Sequence, residues 1–182
     1  MNTMTLNAPS AQPLMGLDLQ EVWALLETVT DPEIPVVSIR ELGILRDIRQ
    51  RDGELEVVIT PTYSGCPAMG QIEDDVRAAL QAHGIAARVV TQLAPAWTTD
   101  WMTQSAKTRL REYGIAPPHT LAASNVIRFA TKSVAQHASP AVTCPRCGSD
   151  NTTETSHFGS TACKALYRCL DCMEPFDLFK PH

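Results

Sequence analysis

The apolar positions of this chain follow two spacings, and the switches between them mark out most of its elements. Leu19, Val22, Trp23, Leu25, Leu26 and Val29 recur every three or four residues, which predicts a helix from Leu17 to Val29. Asp31-Pro32-Glu33-Ile34-Pro35 then stops it, because proline lacks an N–H donor and restricts the residue before it. Ile44 to Arg51 and Glu54 to Thr60 instead alternate apolar and polar around Asp52-Gly53, the pattern of a β-hairpin. After a loop from Pro61 to Gly65, helical spacing returns through Met69, Ile72, Val76, Ala79 and Leu80. It runs to about His83, with Gly84 just past its end. Ala87 to Leu93 reads as a third strand, Trp97 to Trp101 as an aromatic loop, and Met102 to Tyr113 as a last helix closed by Gly114.

That order, helix, hairpin, helix, strand, helix, predicts a small α/β (α+β) domain with a three-stranded sheet and helices on one face. Beyond it the pattern weakens. Pro117-Pro118 punctuates the chain, Asn125 to Phe129 suggests a short strand, and Ala135 to Pro140 reads as a linker. Strand-like runs resume at Thr152–His157, Ala165–Arg168 and Phe176–Phe179. The expected organisation is therefore a disordered lead over 1–16, a domain over 17–116, a connecting segment over 117–141, and a small β module over 142–182.

Cysteine spacing explains how so short a last module could fold. Cys144-Pro-Arg-Cys147 and Cys169-Leu-Asp-Cys172 each place two thiolates on a tight turn, and the chain between them is long enough to leave and return. This is the ligand spacing of a tetrahedral zinc ribbon, and a module of about 40 residues needs such a staple. Four thiolates leave no open coordination position, so the expected cofactor is a structural zinc, with iron in the same Cys₄ shell as the alternative.

Charge and the remaining cysteines narrow the class. The net charge is −5, with 11 Lys/Arg against 15 Asp/Glu in residues 1–140 and 4 against 5 thereafter. Neither part offers the clustered cations that phosphate binding requires, so nucleic acid is not the expected partner. No run approaches the ~18 apolar residues of a membrane span, and the first residues lack the charged-then-apolar pattern of a signal peptide. The expectation is a cytoplasmic chain, in which paired cysteines favour metal over disulfides. Self-association is left open by the composition.

Two cysteines lie outside the pairs. Cys163, in Gly159-Ser-Thr-Ala-Cys163-Lys-Ala-Leu-Tyr167, reads as a small core residue, or alternatively as a surface thiol or exchanging ligand. Cys66 stands in Thr60-Pro61-Thr62-Tyr63-Ser64-Gly65-Cys66-Pro67, at the start of the second helix with Pro67 as its first residue. A thiol there is expected to have its pKa lowered by the helix dipole and by nearby N–H and hydroxyl donors. No histidine lies close in sequence to act as its base. Asp31 and Glu33 read either as solvated carboxylates at a helix stop or as a rigid acidic loop facing Cys66. Trp97 and Trp101 are expected to pack on the core, with a partner-facing loop as the alternative.

Taken together, Asp31-Pro-Glu33-Ile-Pro35, Glu41-Leu-Gly43-Ile and the Thr-x-Thr-x₃-Cys-Pro run ending at Cys66-Pro67 resemble the SufT-like family of iron–sulfur cluster assembly domains, over roughly residues 17–115. The resemblance implies an α/β domain whose reactive cysteine helps deliver iron–sulfur clusters to client proteins. It places Cys66 as that thiolate, a transient iron–sulfur or iron ligand, with Asp31, Thr60 and Thr62 on the accompanying motifs; Glu33, from the acidic loop, completes the candidate set. The later segments Trp97-Thr-Thr-Asp100-Trp101, Tyr113-Gly-Ile-Ala-Pro117-Pro118 and the ribbon with Glu174-Pro-Phe176 resemble a family of phenylacetate-degradation proteins. That resemblance implies association with the oxygenase or reductase components of a multicomponent phenylacetyl-CoA epoxidase. The implied role is an accessory or maturation subunit, or alternatively a structural or regulatory subunit without thiol chemistry. The chain has no Glu-x-x-His pairs on long helices for a diiron site and no flavin or nicotinamide glycine fingerprint, so independent catalysis is not expected.

Overall fold

The structure is a computed structural model that describes residues 18–118 and 141–181. The expected lead over 1–16, strand over Asn125–Phe129 and linker over Ala135–Pro140 lie outside the described residues.

Helix α1 runs Leu19–Leu26, opened by Asp18, whose carboxylate accepts the Gln20 N–H at 2.8 Å. The Asp31 to Pro35 segment does more than stop it. Strands β1 (Thr30–Asp31) and β2 (Ile34–Ser38) pair antiparallel across this turn. Pro35 hides β2 from the sequence pattern; it is tolerated because β2 pairs with β1 alone and forms no central strand.

The expected hairpin forms between β3 (Leu45–Arg51) and β4 (Glu54–Ile59), with Asp52 and Gly53 both in the left-handed region at φ 54° and 81°. Helix α2 (Met69–Gln81) then leads to β5 (Ala87–Thr91), which pairs parallel with β4 to complete a β3-β4-β5 sheet. Leu55, Val57 and Ile59 of β4 face the core, sharing it with Val22 and Leu26 of α1 and Ile72, Val76 and Leu80 of α2. Glu56 lies between them in sequence and is also buried, held by Arg49 and Arg88. A register shift after Leu45 lets Leu45 and Ile48, three apart, reach the same core.

The tryptophan loop packs inward. Trp97 is buried and its indole N–H donates to the Leu42 carbonyl at 3.0 Å. Trp101 takes the Arg46 guanidinium over its ring, 3.4 Å from the centroid. Its backbone passes so near Gly43 (φ +74°) that a Cβ there would lie 2.9 Å from the Trp101 carbonyl oxygen. Helix α3 (Gln104–Tyr113) follows, capped by the Thr103 hydroxyl and closed by left-handed Gly114. Buried Glu41 ties α3 down: it accepts from the Ser38 N–H, the Ser105 hydroxyl and Arg109.

The C-terminal module is a sheet of β7 (Thr152–Ser156), β8 (Lys164–Cys169) and β9 (Pro175–Phe179), joined by a strand the pattern did not reveal, β6 (Ile115–Ala116). The order is β6-β9-β8-β7, with β6 parallel to β9. Successive strand residues point to opposite faces, so β6 and β9 each serve two cores. Ala116 and Leu178 join the ribbon core, whereas Ile115 and Phe179 join the N-terminal one. Among the described residues, no helix is long and apolar enough to cross a membrane.

Candidate functional site

Two cysteine sites emerge. In the ribbon, Cys144, Cys147, Cys169 and Cys172 bring their sulfurs within 4.8 Å of one another. The Cys144–Cys172 and Cys147–Cys169 sulfurs are 3.8 and 3.6 Å apart. A metal–sulfur bond of about 2.3 Å in a tetrahedron demands sulfur–sulfur edges of about 3.8 Å, so the shell fits one ion. A multinuclear cluster would hold thiolates on different irons farther apart. The Gly148 N–H donates to the Cys144 carbonyl at 3.0 Å, and left-handed Gly148 (φ +78°) turns the knuckle. The N–H groups of Cys172 and Asp171 hold the Cys169 thiol down to about 7, against loss of water contact. Cys147 gains from the Ser149 N–H, but burial and three neighbouring sulfurs push it up to about 12. A bound cation therefore has to displace protons here, and it supplies the charge that lets four thiolates coexist.

The second site surrounds Cys66. Helix α2 begins at Met69, not at Pro67, so Cys66 sits in a preceding turn, its N–H donating to the Tyr63 carbonyl at 3.1 Å. The expected lowering of its pKa is reversed. Burial pushes the Cys66 thiol up; the Ala68 N–H and the Thr62 hydroxyl pull the other way, and Asp31 and Glu33 add to the rise. Half-buried against the N-terminal core, the group rests as a thiol.

The charges of both carboxylates act on this cysteine, and Asp31 is not solvated. It is buried, and its Oδ1 accepts the N–H groups of Glu33 and Ile34 at 2.8 and 2.9 Å. Burial raises its pKa above the ordinary range, partly offset by those two donors. Thr62 reaches Cys66, whereas the buried Thr60 hydroxyl has no hydrogen-bond partner among the described residues.

Sequence reasoning did not place Cys163 here. It belongs to the ribbon, yet it is buried in the N-terminal core, where Glu33 and Asp31 both act on it. Its sulfur lies 3.0 Å from the Thr161 hydroxyl, and its carbonyl accepts the Lys180 N–H at 2.9 Å. Burial raises the Tyr63 pKa first, and the charges of Cys66, Cys163 and Glu33 add to the rise. No local signal links Cys163 to Cys66, which stands about a hundred residues earlier.

The site as a whole is a mixed α+β domain with a turn-borne cysteine, docked to a four-cysteine ribbon. The family model described as iron–sulfur cluster assembly protein matches residues 19–91, and the one described as PaaD zinc beta ribbon domain matches residues 129–180. The chain is 51% identical over 89% of its length to a protein of Escherichia coli K12 described as a subunit of 1,2-phenylacetyl-CoA epoxidase, covering 92% of that protein. It belongs to this family, the PaaD proteins. Over half its length it also resembles iron–sulfur protein maturation auxiliary factors: 32% identity to one from Porphyromonas gingivalis and 33% to one from Bacillus subtilis, covering 89% and 91% of those chains.

Proposed function

We propose that this protein is an accessory maturation subunit of the multicomponent phenylacetyl-CoA epoxidase, assisting assembly of an iron–sulfur or metal centre on an oxygenase or reductase component. The observation that carries this reading is Cys66: a half-buried thiol between a donor pair, Thr62 and Ala68, and an acidic pair, Asp31 and Glu33, on a scaffold resembling maturation factors. Iron is the cargo in this reading. Coordination replaces the Cys66 S–H bond with an S–Fe bond and releases the proton to water; transfer reverses it, the recipient's thiolate taking the iron. Burial that disfavours the bare thiolate favours return of the proton, so the cargo is held loosely enough to leave. The ribbon ion is read as structural zinc, and the setting as cytoplasmic.

The test is Cys66→Ser in a strain growing on phenylacetate. Slow growth with an under-loaded epoxidase component is expected. Normal growth with a fully loaded reductase cluster would sink the proposal. The ribbon's exposed Phe158, Leu170 and Met173 favour a second reading, a subunit that docks without thiol chemistry. Fixed-stoichiometry co-purification of Cys66→Ser with fully active epoxidase would select that reading.

A further inference from the structure

Helix α3 is tied to its domain by one cation and carries two others that bind nothing in the fold. Arg109 pairs with Glu41 at 3.3 Å. Lys107 and Arg111 have no ion-pair partner among the described residues. They are four apart, so they share one face of the helix, with Cβ atoms about 5–6 Å from each other. Their other neighbours at helical spacing are Thr103, Gln104, Thr108, Leu110, Gly114 and Ile115, none of them acidic. Glu112 adjoins Arg111 in sequence and so does not face it. Like charges at this spacing weaken a helix. The negative helix C-terminus offsets this for Arg111, in the last turn, but not for Lys107.

The two cations line a cavity of about 250 Å³ together with Gln104, Thr108, Pro117 and Pro118. The Thr108 hydroxyl donates to the Gln104 carbonyl at 3.1 Å, so the donors left for a ligand are the ammonium, the guanidinium and the Gln104 amide. The prolines have no N–H and form a stiff wall. Arg146 of the first knuckle lies against Gly114 at the end of the same helix, where a Cβ would come within 2.7 Å of its guanidinium. These cations gather in a chain whose net charge is −5.

We infer that this pocket is a docking site for an acidic segment of a partner protein, an Asp or Glu carboxylate accepting from Lys107 and Arg111 together. The partner is a component of the epoxidase, so the inference rests on the reading of the chain as its accessory subunit, whether or not Cys66 carries cargo. The cavity is smaller than the ~300–1,000 Å³ of small-molecule sites, so it suits side chains rather than a cofactor. The stretch 119–140, which begins beside Pro118, carries Arg128 and Lys132 and no Asp or Glu, so its charge does not complement the pocket. A second copy meeting this face across a two-fold axis would bring the same cations against themselves. A partner's carboxylate meets none of these objections.

The experiment measures association of the full, zinc-loaded chain with the purified epoxidase, oxygenase and reductase components together, by surface plasmon resonance at low and physiological salt. Lys107→Glu/Arg111→Glu should lower the association rate roughly tenfold and flatten its salt dependence, at unchanged Tm and zinc content. Arg51→Glu, at an exposed cation of the hairpin, should leave the rate unchanged. Carbodiimide, which joins an amine to a carboxylate and takes up the water lost, should link Lys107 to an Asp or Glu of an epoxidase component. Wild-type rates in the double variant overturn the pocket and leave the accessory reading standing. No binding of the unaltered chain overturns both. A Lys107 link formed only to an acid of this chain overturns the inference, as does binding of coenzyme A to the free chain that the double variant loses. If the reversal destabilises α3, Lys107→Gln/Arg111→Gln answers instead, with an expected loss of about threefold.

Discussion

The rings of Trp97 and Phe179 meet with centroids 5.9 Å apart, tilted by 51°, and the contact fastens the last strand of the ribbon to the core of the first domain. Phe179 is fully buried, and its neighbour Leu178 faces the other way into the ribbon. One strand thereby carries two cores, and the position of Cys163 depends on it through the register Lys164–Phe179.

Phe179→Ala should cost about 3–5 kcal/mol, the usual penalty for emptying a large aromatic site. Chemical denaturation would measure it. Alkylation of Cys163 should rise in the same variant, because the seam that buries this thiol loosens.

Gly43→Ala combines two penalties. The backbone is left-handed at φ +74°, and the added Cβ would lie 2.7 Å from the Trp101 Cβ and 2.9 Å from its carbonyl oxygen. A destabilisation of roughly 2–4 kcal/mol is expected from strain and overpacking together, read as a lowered Tm. By contrast Gly53→Ala meets no neighbouring atom and should show the conformational strain alone.

The Cys66 thiol should alkylate slowly at neutral pH, with a midpoint above that of an ordinary thiol. Burial is the main cause, and the negative charges of Asp31 and Glu33 contribute. Glu33→Gln removes one of them, so the midpoint should move down without reaching that of an exposed cysteine. Iodoacetamide labelling across pH, with the peptide identified by mass, checks it; an upward shift would contradict the placement of Glu33.

Glu56 makes a pH-dependent contribution of known sign. Hydrogen bonds from Arg49 and then Arg88 hold its pKa below the ordinary carboxylate range. The folded state therefore binds the proton less readily than the unfolded chain, and stability from this group is present above the ordinary carboxylate pKa and lost as pH falls through the lowered value. Glu56→Gln should lower Tm at neutral pH, and the gap to wild type should close in strong acid.

Metal removal should act locally. A strong chelator is expected to release the exchange protection of amides at Tyr167 and Leu178 before those of β3, β4 and β5, as hydrogen exchange would show. The ribbon core has only a few side chains, chiefly Val142, Tyr167, Phe176 and Leu178, and depends on its ion. Release should become easier on acidification, since protons compete with the ion for the thiolates.

The elements legible in advance are those whose cause is local. Asp52-Gly53 between alternating runs dictates the hairpin, because both turn residues must be left-handed. The face Ile72, Val76 and Leu80 dictates α2, and two Cys-x-x-Cys pairs dictate a knuckle geometry that needs no other partner. Strands β2 and β6 are hidden, one by Pro35 and the other by being two residues long and paired across the modules. The burial of Glu56 and Glu41 likewise waits on Arg88, Ser105 and Arg109 arriving from distant elements.

Residue type and spacing are enough to read the family, the four ribbon cysteines and the candidacy of Cys66. The burial of Asp31, the protonated rest state of Cys66 in place of one primed by a helix dipole, and the arrival of Cys163 in the same core all arise from packing between distant segments. Desolvation and electrostatic fields depend on everything packed around a group, and the packing partners here come from opposite ends of the chain.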